Sequence, residues 1–521
     1  MREIFQVDEL DLAGRIGRIR TNHGEVQTPA LLPVIHPYNQ KLPVSEIKKL
    51  GFQAVMTNAY ITMKKFGNDA RKKDIHEIID FDGPVMTDSG GYQVLEYGGV
   101  ETNPLEMARF EEGIGTDIAI ILDTPTGRSS TYVDAKKTVD LTLAACKETL
   151  SGLENRNSLW IGPVQGGKFL DLVDSSARSI SKMEFDMFAL GSPTVVMESY
   201  NFVLLAKMVL SAKRALDPGK PFHLFGLGHP LPLSLAVALG CDTFDSASYW
   251  LYAKEGRYIT DLGTRHIEDV VYLSCSCTVC SNYTVSEIQE SDEKVILLAR
   301  HNIHVLWREI QSTRQAIKEG RLWEYVGIKA RSHPNMWSAF NYIAKNWDYL
   351  ERFSPFTKNR GVFIANSPDD LRPEVQRYDT VFERIKPKKN VVILPNTTEK
   401  PFLLSPLYLK FDGVRDDVLF CTVKVPFGLI PAEISDIYPF SQTVVSEDIL
   451  DEVMLMKRVK ERVKKQLQVL KPNLLILVID GRDSKMNRFL QRTLKPSETI
   501  TLRELKDDFL LEIKKESIKR Q

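Results

Sequence analysis

Eight short apolar runs, each closed by turn residues, fill the first half of this chain and limit what it can fold into. They lie at 29–35, 54–59, 84–87, 118–122, 159–164, 187–190, 222–227 and 243–247. Each is too short for a helix and is bounded by Gly, Pro, Asp or Ser, which favours a strand buried on both faces. Amphipathic stretches at 44–50, 135–151 and 200–216 fall between them. Strands and helices alternating eight times over roughly 250 residues have the size and rhythm of a (β/α)8 TIM barrel, an α/β fold with an all-parallel sheet. A doubly wound open sheet is the rival architecture.

Catalytic residues of a barrel enzyme sit at the C-terminal ends of its strands. Here the third run enters Thr87-Asp88-Ser89-Gly90-Gly91-Tyr92-Gln93, the fourth ends Leu122-Asp123-Thr124-Pro125, and the fifth ends Val164-Gln165-Gly166-Gly167. The sixth ends Leu190-Gly191-Ser192-Pro193-Thr194, and the seventh ends Phe225-Gly226-Leu227-Gly228-His229-Pro230. The eighth carries Asp242-Thr243-Phe244-Asp245-Ser246. Any one of these has a plain structural reading, because Asp and Ser cap helices and Gly takes positive φ. Six in succession ask for more, since loops shaped for stability alone do not need an acid, an amide and paired glycines on one rim. Together they predict a concave site with three carboxylates, Asp88, Asp123 and Asp245, and the neutral amide of Gln165. Such a set suits a planar, hydrogen-bonding heterocycle. Carboxylates accept from the N–H edge of a guanine-like ring, Gln165 serves a carbonyl or ring nitrogen, the Gly191 backbone lies close to the base, and Tyr92 stacks on its face. Two remaining acids divide covalent catalysis, one attacking a carbon that bears a leaving group and the other moving protons. His229 precedes Pro230 with no nucleophile near it in sequence, and reads as a loop histidine.

Three of the six cysteines crowd into Cys275, Cys277 and Cys280, while Cys146, Cys241 and Cys421 are scattered. That is no extracellular disulfide framework; clustered thiols read as metal ligands. A helix carrying His301 and His304 follows. A Cys3His set closes the tetrahedral shell of zinc and leaves no open position, so the expected ion is structural, one per chain. Spacing does not choose between the two histidines.

A chain of 521 residues exceeds what one hydrophobic core usually serves. We divide it into a barrel at 1–270, a zinc-binding and helical extension at 271–355 (helices at 295–310 and 337–353), a polar separator near 359–389, and a smaller C-terminal α/β domain at 390–521. The last has strand candidates at 391–394, 418–425 and 474–479 and a helix at 451–470 that places Val459, Val463, Leu467 and Leu470 on one face. No apolar run reaches the roughly 20 residues that span a bilayer, and the first residues lack the apolar core of a signal peptide. The expected setting is the cytoplasm, away from membranes. Lys plus Arg equals Asp plus Glu, 68 against 68, so an RNA partner must meet a local basic patch rather than a globally positive body.

The runs MTDSGGYQV, ILDTP, GPVQGG, FGLGHP, DTFDSASYWLYAKEGRYIT and CSCTVC…RHNIHVL, in one continuous order over roughly residues 1–350, closely resemble the tRNA-guanine transglycosylase family. The wording of the DSASY segment resembles its archaeal branch. The resemblance implies a (β/α)8 barrel and base exchange without ATP. An aspartate attacks C1′ of a nucleotide, guanine leaves, and a 7-deazaguanine attacks the covalent intermediate. By motif, Asp245 is similar to the nucleophile and Asp88 to the general acid/base, and both count as catalytic. Asp123, Gln165, Gly191 and Ser192 match base-recognition positions, and Ser89 and Tyr92, in the Asp88 motif, are counted with them. The His-Asn-Ile context implies His301 rather than His304 as the zinc ligand. For the archaeal branch, the resemblance implies 7-cyano-7-deazaguanine as the incoming base, guanine-15 of the tRNA D-arm as the target, and archaeosine as the end of the route. It also implies a homodimer formed through the zinc-bearing region.

Two departures stand out. Gly191-Ser192-Pro193-Thr194 is poorer in glycine than the family pattern at this turn. At the C-terminus, the segments 394–402 and 426–431 resemble an archaeosine synthase-type domain rather than the PUA RNA-binding domain common in this branch. Asn396 stands where that domain has a cysteine, so its amidation-like chemistry is expected to be absent. We read the C-terminal unit as an RNA-positioning or assembly module. The target nucleotide must leave its stack at a cost of a few kcal/mol, which phosphate contacts from Lys and Arg offset. The basic run at 457–465 and the tail residues Lys514, Lys515, Lys519 and Arg520 are candidates for them. The competing readings are exchange at the anticodon wobble guanine, a non-catalytic tRNA-binding subunit, and a metal-dependent barrel hydrolase. The hydrolase lacks a histidine pair at the strand ends.

Overall fold

The computed structural model describes residues 4–91, 102–154, 156–397, 399–411, 418–481 and 484–505. They divide into two units, 1–343 and 344–521.

In the first unit, β1 (Phe5–Asp11), β2 (Gly14–Thr21) and β3 (Gly24–Gln27) form an antiparallel sheet. Eight parallel strands follow: β4 (Ala30–Pro33), β5 (Val55–Asn58), β6 (Val85–Asp88), β7 (Ile118–Ile120), β8 (Leu159–Val164), β9 (Met187–Leu190), β10 (Phe222–Leu224) and β11 (Thr243–Ser246). All eight apolar runs become these strands. β4 through β11 succeed one another around the sheet, and β4 pairs with β11 from Ala30↔Thr243 to Pro33↔Ser246. β5 meets β4 through the single bridge Val34↔Met56, where the Ile35 N–H donates to the Met56 carbonyl at 2.7 Å. The sheet is a nearly closed (β/α)8 barrel.

Alternate residues of the strands fill its interior: Ala30 and Leu32, Met56, Met86, Ile118 and Ile120, Ile161, Met187 and Ala189. Ile19 of β2 and Val26 of β3 join the same core, so the antiparallel sheet plugs the end where the strands begin. Asp242, one residue ahead of β11, pairs there with the buried Arg15. Asp245, three residues on, emerges at the opposite end, because a strand rises about 3.3 Å per residue. The connecting helices start at the signals expected of them. Asn103 caps Pro104–Gly113, which carries proline in its first turn, and Thr131 with Asp134 forms a capping box on Tyr132–Gly152.

After β11 come a short helix, Ser248–Lys254, and the hairpin of β12 (Arg257–Thr260) with β13 (Gly263–His266). The long helix Lys294–Lys318 buries Leu297, Leu298, Ile303, Leu306 and Ile310 along one face and carries His301.

The second unit holds a five-stranded sheet of β15 (Asn390–Ile393), β16 (Val418–Lys424), β17 (Gly428–Pro431), β19 (Leu474–Ile479) and β20 (Glu498–Thr501), in the order β17-β16-β15-β19-β20. Only β17 runs antiparallel. β14 (Val362–Ile364) pairs separately with β18 (Thr443–Val445). The stretch 359–389, read from its polarity as a separator, is folded into this unit. It supplies β14 and the helix Pro373–Phe382, and four of its charges, Asp369, Asp370, Arg372 and Glu374, are buried, with Glu374 bridging Lys358 (2.6 Å) and Arg372 (3.0 Å).

Candidate active site

The C-terminal ends of the barrel strands surround a cavity of about 1010 Å³. Asn58, Asp88, Asp123, Gln165, Gly191, Ser192 and Asp245 all line it. Six stretches far apart in sequence thus converge, because parallel strands of matched register end on one level; Asn58 of β5 stands beside Asp88 of β6.

Asp88 is half-buried and accepts from the Asn58 amide (2.8 Å) and the Gly90 N–H (3.2 Å). Burial pushes its carboxyl up to about 6; the Gly90 bond opposes this and the charge of Asp245 adds to it. Asp123 accepts from the Gln165 amide, and burial carries its pKa to about 7, with Asp88 contributing. The Gln165 side chain is fixed from its other end, where the Ser192 hydroxyl (2.9 Å) and the Thr126 N–H (3.3 Å) donate to its oxygen. Asp245 accepts from the Gly226 N–H (2.7 Å), and His223 Nε2 lies 3.2 Å from the same oxygen, Oδ1. The other nitrogen of fully buried His223 meets the Thr243 hydroxyl at 2.9 Å. Among the described residues, no hydrogen bond reaches Oδ2 of Asp245.

Two glycines are required by this packing. A Cβ on Gly91 would overlap the Asp123 carboxylate, and one on Gly191 would overlap the Gln165 amide. Ser192 adopts φ of +60°, a conformation that strains a side chain by roughly 1 kcal/mol, yet its hydroxyl holds Gln165. The departure from a glycine-rich turn therefore carries a contact of its own.

Not every expected residue reaches the cavity. Ser89 is buried and is not among the lining residues, and its hydroxyl has no partner among the described residues. Tyr92 lies outside the described residues. His229, read as a loop histidine, lines the cavity and caps the helix Pro230–Ala238, accepting from the Leu231 N–H at 3.2 Å. Burial holds its pKa down near 4, so its imidazole is neutral. Asn58, His223 and Phe225 also belong to the site and escaped the sequence reading. The signal was a polar residue inside a largely apolar run, His223 alone in its own and Asn58 next to Thr57.

The cysteine loop forms a second centre in the first unit. One ligand atom from each of Cys275, Cys277, Cys280 and His301 falls within 4.8 Å of the rest. His301 Nδ1 faces Cys277 Sγ (3.5 Å) and Cys280 Sγ (3.3 Å), and its Nε2 is fixed by the Ile259 carbonyl at 2.7 Å. Tyr258 stacks on the imidazole at 3.7 Å. His304 is not part of the group.

Comparison with known proteins agrees with the motif resemblance. The profile of the queuine tRNA-ribosyltransferase family matches residues 11–335. A tRNA-guanine(15) transglycosylase of Sulfolobus acidocaldarius is 38% identical over 467 residues, covering 88% of this chain and 92% of its own. That of Saccharolobus solfataricus is 41% identical over 472 residues, 86% of this chain and 93% of its own. That of Aeropyrum pernix is 47% identical over 362 residues, 69% and 70%. With a match that takes in the barrel, the cysteine loop and the long helix behind it, the chain belongs to the queuine tRNA-ribosyltransferase family.

Proposed function

We propose that this chain is a pentosyl-transferring enzyme that exchanges guanine-15 of tRNA for 7-cyano-7-deazaguanine through a covalent Asp245–ribose intermediate. The observation that carries the reading is the convergence of Asp88, Asp123, Gln165 and Asp245 on one cavity. The name shared by the Sulfolobus, Saccharolobus and Aeropyrum relatives supports position 15 over the anticodon wobble base.

The extruded guanine sits with its N–H edge on Asp123 and its carbonyl edge on the Gln165 amide and the Gly191 backbone. Phe225, on the cavity wall, covers one ring face. Asp245 Oδ2 attacks C1′, the C1′–N9 bond breaks with its electron pair going to the purine, and Asp88 supplies the proton that makes guanine a neutral leaving group. The 7-deazaguanine then takes the vacated place and loses its N9 proton to Asp88, and its nitrogen displaces the Asp245 carboxylate from C1′. No water and no nucleotide triphosphate are consumed. A carboxyl with a pKa near 6 suits both halves, because it both gives and accepts a proton near neutrality.

The three thiols and the imidazole fit zinc, whose four positions they fill, so the ion would brace the loop and would not touch substrate. Exposed Val271 and Tyr272 beside that loop support a homodimer surface there. In the second unit, the exposed Lys457, Lys460 and Lys464 on the helix Val453–Leu470 are candidates for phosphate contacts. The tail lysines lie outside the described residues. No helix among the described residues is long and apolar enough to cross a membrane, which accords with action on tRNA in the cytoplasm.

The test is to trap an RNA adduct that survives denaturation and locate its attachment. Asp245→Asn is expected to abolish the adduct and Asp88→Asn to slow its turnover. Full adduct from Asp245→Asn overturns the assignment. Mapping labelled base incorporated into intact tRNA separates position 15 from the wobble position.

A further inference from the structure

The plugged end of the barrel carries a second group of ligand-type side chains, which base exchange does not use. Asp117, ahead of β7, is fully buried and accepts from the N–H groups of His23 (3.0 Å) and Val85 (2.9 Å). Its two oxygens also face one nitrogen of each of two imidazoles: His23 Nδ1 at 3.0 Å and His76 Nε2 at 2.9 Å. An ionised carboxylate only accepts, so those two nitrogens carry the hydrogens, and the lone pairs of the neutral rings sit on His23 Nε2 and His76 Nδ1. Asp74 Oδ1 lies 2.5 Å from His76 Nδ1.

Two lone pairs cannot face each other at that distance; a proton on His76 joins them, and a metal ion taking its place would spread the two atoms to about 3 Å, as bonds near 2 Å require. A proton on His76 would satisfy Asp74 and His76 alone. The position of His23 asks for more: its ring lies tilted by 37° against that of His76 with centroids 3.8 Å apart, and one ligand atom from each of His23, Asp74 and His76 lies within 4.8 Å of the others. We propose that these three residues bind a first-row divalent cation of the zinc type, separate from the cysteine centre, with Asp117 orienting both rings. Imidazole ligands that donate their second N–H to a carboxylate are the usual support of such ions. Two nitrogens and one oxygen suit zinc, cobalt or nickel better than magnesium or calcium. The His23 and Asp74 side chains are 38% and 47% exposed, so the ion enters from solvent and water completes its shell. Bound there, it ties the β2–β3 turn to the helix Ile75–Ile79 across the foot of the barrel.

The test counts metal in the full-length protein with its cysteine centre already loaded. The protein is equilibrated with micromolar zinc chloride, freed of unbound ion and analysed for zinc per chain. Wild type is expected to hold two zinc ions and both His23→Gln and Asp74→Asn one, with added zinc raising the melting temperature of wild type alone. His23 lies in an exposed turn, and Asn at 74 keeps the oxygen that caps the helix, so both variants should fold; circular dichroism checks this. One zinc in wild type, leaving His76 protonated between its carboxylates, overturns the proposal. So does retention of two in either variant, which marks the second ion as adventitious.

Discussion

At the scale of single residues, the site holds acids in a state that ordinary solvent would not allow. Asp123 keeps its proton up to about pH 7 because burial opposes the charge. A folded-state pKa above the unfolded value means that the folded protein binds the proton more tightly. The stability this confers is complete below the usual carboxyl range and is lost as pH rises to about 7. Asp123→Asn has no proton to lose, so its advantage over wild type should grow by about 1.4 kcal/mol per pH unit across that window and then level off. Urea unfolding at a series of pH values checks this, and a constant difference would contradict it. His223 makes a different kind of contribution. By holding Asp245 Oδ1 it aims Oδ2, so His223→Phe should lower kcat about a hundredfold, the order expected for a misplacement near 1 Å, with little change in KM for tRNA. His223→Gln, which can still donate to Oδ1, should recover part of the loss; equal loss in both variants would assign His223 to packing alone.

At the scale of elements, the helix Val453–Leu470 shows how composition misleads. Its six basic residues between 457 and 465 read as a candidate RNA-binding face, yet they divide into two sets. Arg458 grips the buried Asp370 through the Nε–Nη2 edge of its guanidinium, and Nη2 also donates to the Ser367 hydroxyl at 2.7 Å. Arg462 reaches Asp379 and the Pro426 carbonyl, each at 2.7 Å. Arg458→Ala leaves a buried carboxylate without its counter-charge, and should destabilise the second unit by about 3 kcal/mol. Lys460→Ala, at an exposed position, should leave unfolding unchanged. Chemical denaturation followed by far-ultraviolet circular dichroism compares the two, and equal stability would dismiss the division. The barrel strands were readable because burial on both faces produces continuous apolar runs. β1 was not, since Phe5–Asp11 mixes partly buried and exposed positions without regular alternation, among charged residues. The partners of the aspartates were hidden for a related reason: His223 and Asn58 are polar residues in largely apolar stretches, and only the register of neighbouring strands gives them meaning.

At the scale of the whole molecule, equal numbers of acidic and basic residues leave no net field to draw in a polyanion. Grip on tRNA must then come from a few phosphate contacts, and salt dependence counts them. Replacing Lys457, Lys460 and Lys464 together by Ala should make the slope of log K against log salt shallower by about 0.7–0.9 per contact removed, while kcat at saturating tRNA holds. An unchanged slope would place the grip elsewhere. The barrel, the convergence of its acids and the cysteine centre could all be read from linear motifs. The folding of 359–389 could not, because charges that pair inside a core look, in a string of letters, like charges bathed in water. One further property follows from the way the cylinder is fastened. β5 and β6 share four paired positions, whereas β4 and β5 share one bridge. His36, Gln40 and Lys41, just beyond that bridge, stand on the cavity wall. The cavity wall thus runs along a seam where, among the described residues, the first and second staves of this hoop are held by one backbone bridge and by the Thr57 hydroxyl, which donates to the Ile35 carbonyl at 2.8 Å.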